Sequence, residues 1–236
     1  RATLDAAART AVVTIQDDDA GTGAPTVPAN LQAHAHSTTE IMLTWTDSSG
    51  ETGYLIERKT LGGAFQQVAT TGQNETSVVL GGHTQATGYV FRVRATNGAG
   101  TSGYSNEAKV ATDAPVAPCV PSSTTLCVND SRFQVRIAWR TADQNGAGTA
   151  VPVESAPDSG LFYFFSPTNI EMLVKVLDAC VPVLGNKYWV FYAATTDVEL
   201  TMTVVDTQTG KVQVYFNPLG TPALPVQDTK AFDTCP

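Results

Sequence analysis

The sequence predicts an all-β chain: two antiparallel β-sandwich domains in tandem, preceded by an unpaired N-terminal β-strand. Three observations predict this. Charged residues make up only 15% of the 236, while Thr, Ala, Val and Gly are plentiful, a composition suited to strands and turns rather than surface helices. Short apolar/polar alternations recur about every ten residues, punctuated by SSGETG, LGG, NGAG and QTG turns. Gly/Pro-rich stretches at 20–28 and 112–118 divide the chain, which is long enough to bury two cores.

Bulk numbers narrow the function. The formal charge is −8, from 22 acidic and 14 basic residues, and no Lys/Arg cluster interrupts it. Nucleic acid and anionic membranes are poor partners for such a surface. Nowhere do about 18 apolar residues run together, so no membrane insertion is expected. The start shows no charged-then-apolar signal pattern, and the chain is expected to be a mature product or a fragment. Four cysteines, all in the second half, lack C-x-x-C spacing and nearby histidines. They point to disulfides in an oxidising compartment, hence an extracellular protein, secreted or on a cell surface.

Residues 1–23 contain the first element. TAVVTIQ (10–16) reads as one strand, with Val13 and Ile15 on one face and Val12 and Thr14 on the other, closed by Asp17, Asp18 and Asp19. No hairpin partner precedes it. In residues 24–112, EIMLTWT turns Ile41, Leu43 and Trp45 to one side, GYLIERK follows a short turn, and a later strand places Tyr89, Phe91, Val93 and Ala95 on one face. Pro28-x-x-Leu31, Trp45, Tyr54, Leu80, Tyr89 and the ending ATNGAGTSGYS resemble a fibronectin type III domain. The resemblance implies that Trp45 fills the space between two sheets and that Tyr89 makes a tyrosine-corner hydrogen bond. It implies a binding or spacing module and settles no ligand.

After a linker at 113–118, residues 119–236 read as a second sandwich. Its strands are expected in RFQVRIAWR, SGLFYFFSP, IEMLVKVLD, KYWVFYAA, VELTMTVVD and KVQVYFN, the last two joined by a DTQTG hairpin turn. The phrases CVPSSTTLCVNDSRFQVRIAWR, FYFFSPTNIEMLVKVLDAC and PVQDTKAFDTCP resemble a C-terminal β domain that recurs in large secreted bacterial proteins. That resemblance implies a location rather than an activity, and places Pro236 near a C-terminus. Of the three pairings open to Cys119, Cys127, Cys180 and Cys235, the favoured one is Cys119–Cys127 with Cys180–Cys235. The first pins the start of the domain, and the second ties the tail to the middle of the sheet. In a loop-entropy account they contribute about 2.5 and about 4 kcal/mol.

TAVVTIQDDD is similar to the last strand of a Calx-β domain, a calcium-associated sandwich found beside fibronectin type III modules. The resemblance implies that the rest of that sandwich is missing from this chain. Asp17, Asp18 and Asp19 then offer hard oxygen ligands for calcium, the one cofactor suggested. Ca²⁺ takes six to eight oxygens, so a neighbour would have to supply others. The strand itself is either a remnant, a segment folded back on its own domain, or one donated through Val12, Val13 and Ile15 to an open sheet of another copy. Head-to-tail repetition of such a contact makes a filament.

Other candidate chemistry is sparse. His34 and His36 fall on one side of an extended segment, but nothing nearby completes a metal set. His83 reads as a loop residue before the tyrosine corner. G-x-S-x-G, S-x-x-K and H-E-x-x-H are all absent, and the strand-end carboxylates Asp158, Glu171, Asp178 and Asp197 also suit turns. No enzyme is expected. LFYFF, with Tyr188, Trp189, Phe191 and Tyr192, suits either a carbohydrate platform or, as continuous apolar runs more often do, strands covered on both faces.

The expectation is a non-catalytic bacterial extracellular structural protein. It is read as a surface or filament subunit, joined through Val12, Val13 and Ile15, with Phe162, Phe164, Tyr188 and Tyr192 as an aromatic contact surface. The alternative is an accessory carbohydrate- or protein-binding module of a larger secreted adhesin or hydrolase. Partners are accordingly copies of the chain itself, another surface protein, or polysaccharide.

Overall fold

A computed structural model describes residues 23–236. The first unit stacks two sheets. One contains β1 (Ala29–Ala35), β2 (Ile41–Thr46) and β5 (Ser77–Leu80) in the order β1-β2-β5. The other contains β3 (Gly53–Thr60), β4 (Gln66–Gly72), β6 (Gly88–Asn97) and β7 (Gly100–Thr101) in the order β4-β3-β6-β7, with β8 (Ala108–Ala111) also paired to β6. Alternation decides what lies between them: Leu31, Ile41, Leu43 and Trp45 come from one sheet, and Tyr54, Ile56, Tyr89, Phe91, Val93 and Ala95 from the other.

Aromatic residues fix this core by geometry as well as bulk. Trp45 meets Tyr54 edge-on at 5.3 Å. The Tyr54 hydroxyl donates to Asp47 (2.6 Å) and accepts the Ser48 N–H (2.9 Å). Burial, then the Asp47 carboxylate, pushes that phenol up to about 12. At the turn into β6, the Thr84 N–H donates to the Tyr89 hydroxyl at 3.0 Å, closing the corner.

The second unit is also two sheets face to face. The first has β10 (Phe133–Arg140) paired to β9 (Leu126–Val128), β11 (Asn145–Ala147) and β16 (Glu199–Asp206), and β16 paired in turn to β17 (Val212–Asn217). The second runs β12 (Thr149–Pro152), β13 (Ser159–Tyr163), β14 (Met172–Ala179), β15 (Lys187–Ala194), β18 (Val226–Phe232). All strand pairs are antiparallel. Phe133, Val135, Ile137, Leu200, Met202 and Val204 pack from the first sheet against Phe162, Met172, Val174, Val176, Val190 and Phe232 from the second.

Three ties close this unit. Cys119 is bonded to Cys127, and Cys180, just after β14, to Cys235, just after β18. Arg132 and Asp206 form a buried ion pair at 3.0 Å. The same guanidinium donates to the Tyr188 hydroxyl at 2.7 Å and to the Thr234 carbonyl, so the tail, β15 and β16 meet on one side chain. Burial alone would raise the Asp206 carboxyl, but donors from Arg132, Thr234 and the Gln208 N–H outweigh it and hold it below the usual range.

The expected linker at 113–118 differs from a free tether at its first residues. The Asp113 N–H donates to the Ser37 carbonyl of the first unit, while its carboxylate pairs with Lys211 of the second at 2.8 Å. The Ala114 N–H donates to the Gly210 carbonyl at 2.8 Å. Gly210 has φ +74°, and a Cβ there would lie 2.4 Å from the Ala114 carbonyl oxygen, so only glycine allows this approach. Beside it, the Phe216 ring packs over Gly62, where a Cβ would come within 2.9 Å. The units therefore share a packed joint.

Candidate binding face

Strands β10 and β16 of one sheet of the second unit and β14 and β15 of the other present opposite kinds of surface to solvent. Outward from β10 and β16 the register pairs Arg140 with Glu199, Ala138 with Thr201 and Arg136 with Thr203. Arg140 grips Glu199 with two hydrogen bonds of 2.9 and 2.6 Å. Polar-out alternation of this kind is ordinary for a half-solvated antiparallel sheet.

The outward face of β12 to β18 breaks that rule. One row across the sheet reads Val151, Leu161, Leu173, Ala193; the next reads Ser159, Lys175, Phe191, Gln227; Leu177 pairs with Trp189 beyond them. Leu173 is exposed, and Leu161, Leu177, Trp189 and Phe191 are half-buried. The Trp189 and Phe191 rings lie nearly parallel, 5.9 Å apart at 23°, on one face of β15. Beside Phe191 a hollow of about 170 Å³ is lined by Leu173, Lys175, Ala193, Pro225 and Val226. Trp189 Nε1 is shielded and finds no hydrogen-bond partner. Half-buried and exposed apolar side chains thus lie side by side on this face, and contiguous apolar surface that reaches solvent marks interaction sites.

The residues expected to form the contact surface lie on the inner side of these strands. Phe162, Phe164, Tyr188 and Tyr192 are 0, 7, 4 and 7% exposed and belong to the core. They alternate inward toward β10 and β16, whereas Leu161, Tyr163, Trp189 and Phe191 alternate outward. In LFYFF and YWVFY both parities are apolar, so the periodicity that separates inside from outside is missing. The signal that did exist was the continuous run itself, which calls for a cover on each face. The opposing sheet supplies one of them.

Other candidates disperse. Val12, Val13, Ile15, Asp17, Asp18 and Asp19 lie outside the described residues. His34 and His36 are exposed, and no group of three or more metal-ligating side chains occurs among the described residues. His83 is buried against Tyr89 at 4.8 Å, and burial pushes its imidazole below the usual value. Glu171 accepts the Phe164 N–H at 2.7 Å, Asp158 the Ser159 hydroxyl at 2.6 Å, and Asp178 the Cys180 N–H at 2.9 Å. Each of these carboxylates serves its own loop.

Comparison with known proteins places the first unit. A chitinase A1 from Niallia circulans is 36% identical over 201 residues, covering 74% of this chain and 27% of that protein. An exoglucanase B from Cellulomonas fimi is 35% identical over 138 residues, covering 55% of this chain and 12% of that protein. The chain thus spans only a minor part of either relative. Among solved structures, a Fn3-like protein from Clostridium thermocellum is 27% identical, with a TM-score of 0.32, covering 35% of this chain and 86% of that one. The family model described as the fibronectin type III domain matches residues 23–111, the span that carries the Trp45–Tyr54 contact and the Tyr89 corner, and it is to that domain that this segment is similar.

Proposed function

We propose that the chain is a non-catalytic accessory segment of a larger extracellular carbohydrate-acting protein, and that it rests on polysaccharide through the outward face of β14 and β15. One observation carries the reading: an apolar, aromatic face on β14 and β15 meets solvent, whereas on the opposite sheet β10 and β16 are polar outward and the outward Val214 and Phe216 of β17 lie against the first unit. Parallel ring faces such as those of Trp189 and Phe191 suit the C–H faces of pyranose rings. Lys175 and Gln227, in the same row as Phe191, supply polar groups for hydroxyls. The names exoglucanase and chitinase borne by two relatives support a saccharide partner over a protein one. Two disulfides support an oxidising, extracellular setting. The packed joint makes the fibronectin type III domain a fixed bracket for the binding face.

The test is adsorption to insoluble chitin and to cellulose, comparing the intact chain with Trp189→Ala, Phe191→Ala and, on the polar face, Arg136→Ala. The intact chain and Arg136→Ala are expected to adsorb to at least one, with loss in the two aromatic variants. Equal adsorption by all four, or none by the intact chain, overturns the reading. Self-assembly through Val12, Val13 and Ile15, and calcium at Asp17 to Asp19, are proposals on residues outside those described. Light scattering with and without residues 1–19, in calcium and in chelator, tests both.

A further inference from the structure

The joint creates a second concave surface. Between the units lies an open groove of about 470 Å³, lined on the fibronectin side by Ala35, Lys109 and Ala111 and on the other by Lys211, Lys230 and Ala231, among others. Three of the chain's 14 basic residues thus face one groove in a protein of net charge −8. Two carboxylates also line it, and both are engaged: Asp113 with Lys211 at 2.8 Å, and Asp233 with Lys187 at 2.9 Å. Among the described residues no carboxylate lies within ion-pair distance of Lys109 or Lys230, one on each unit, and both are exposed. The Asp113–Lys211 pair and the Ala114–Gly210 hydrogen bond hold the two walls together, so the backbones that carry Lys109 and Lys230 are fixed before a ligand binds.

We infer that this groove binds an anionic saccharide, a glycan segment bearing carboxylate or sulfate groups, with its acidic groups between Lys109 and Lys230 and its rings against the alanine-lined walls. Naming a saccharide rests on the function proposed above; the site itself rests on the groove. A lone phosphate is a poorer fit, because such ions are held by converging backbone N–H groups at a helix start or nest, and lysines here act as separated point charges. A polynucleotide is disfavoured by the acidic remainder of the surface.

Calorimetric titration of the intact chain with oligogalacturonate, a sulfated oligosaccharide and a neutral chito-oligosaccharide tests this, alongside Lys109→Glu/Lys230→Glu and Trp189→Ala. Both lysines are exposed and, among the described residues, outside any ion pair, and a thermal melt checks that the double variant folds. At least one acidic saccharide is expected to bind, and which one identifies the acidic group. Affinity is expected to fall at least about tenfold in the double lysine variant and to weaken as salt is raised, while Trp189→Ala binds as the intact chain does. Absence of binding by both acidic ligands, or equal affinity in the folded double variant, overturns the inference. Adsorption to neutral chitin or cellulose through Trp189 stands or falls separately.

Discussion

The second unit carries two outward sheet faces built by the same rule and finished differently. On β10 and β16 the outward positions are Gln134, Arg136, Ala138 and Arg140 with Glu199, Thr201, Thr203 and the buried Val205; on β14 and β15 the outward positions include Leu173, Leu177, Trp189 and Phe191. Both faces pack equally large inner residues against one shared core. Stability does not explain the second face, since the fold needs only its inner parity to be apolar. Outward apolar side chains that are half in water contribute little to folding. Their cost in solubility is offset only if something lies on them.

Substitutions can break or sharpen this contrast, the largest effects being those in the shared interior. Phe162→Ala, at a fully buried position of β13, is expected to cost about 3–5 kcal/mol by chemical denaturation. Arg132→Met should cost a similar about 3–5 kcal/mol, because Asp206 is left charged and buried without its partner. The same pair gives the pH dependence its sign. Asp206 has a depressed folded value, so its contribution is complete above the unfolded aspartate value near about 4. It is lost as pH falls through the lower folded value, and the melting temperature should drop on acidification below about pH 4, less steeply in Asp206→Asn than in the intact chain.

Next comes the tie between β14 and the tail. Cys180→Ser/Cys235→Ser opens a link across 55 residues of chain and is expected to cost about 2–5 kcal/mol, read as a lower melting temperature. Smaller still is Phe191→Ala on the outward face, about 1 kcal/mol or less, in contrast to its inward neighbours on the same strand. It should nevertheless reduce binding of a hydrophobic dye such as ANS. A fall as large as that of Phe162→Ala would mean that Phe191 is core and the contrast between faces is false. Thr201→Ala on the polar face is expected to stay within about 0.5 kcal/mol with dye binding unchanged.

How much of this is legible in the sequence depends on whether the two parities of a strand differ. In ELTMTVVD, Leu200, Met202 and Val204 alternate with Thr, and the all-β class and the inward set follow at once. Trp45, Tyr54 and Tyr89 mark the fibronectin type III unit because each does a specific mechanical job. In KYWVFYAA both parities are apolar, so the inner Tyr188 and Tyr192 and the outer Trp189 and Phe191 exchange places without any change in pattern. β18, VQDTKAF, is too polar to announce itself, and takes its place in the sheet through pairing with β15 and the neighbouring disulfide. The groove between units was invisible for a different reason: Lys109 and Lys230 are 121 positions apart in the numbering, and only the folded joint brings them to one surface.

The most direct test of the central claim is hydroxyl-radical footprinting of the intact chain, alone and saturated with chito- or cello-oligosaccharide. Trp189, Phe191 and Leu173 are expected to be labelled in the free chain and protected by at least one saccharide, with Tyr188 and Tyr192 weakly labelled in both states and the β10/β16 face unchanged. Labelling of Trp189 and Phe191 that neither saccharide alters, or their protection already in the free chain, would contradict it.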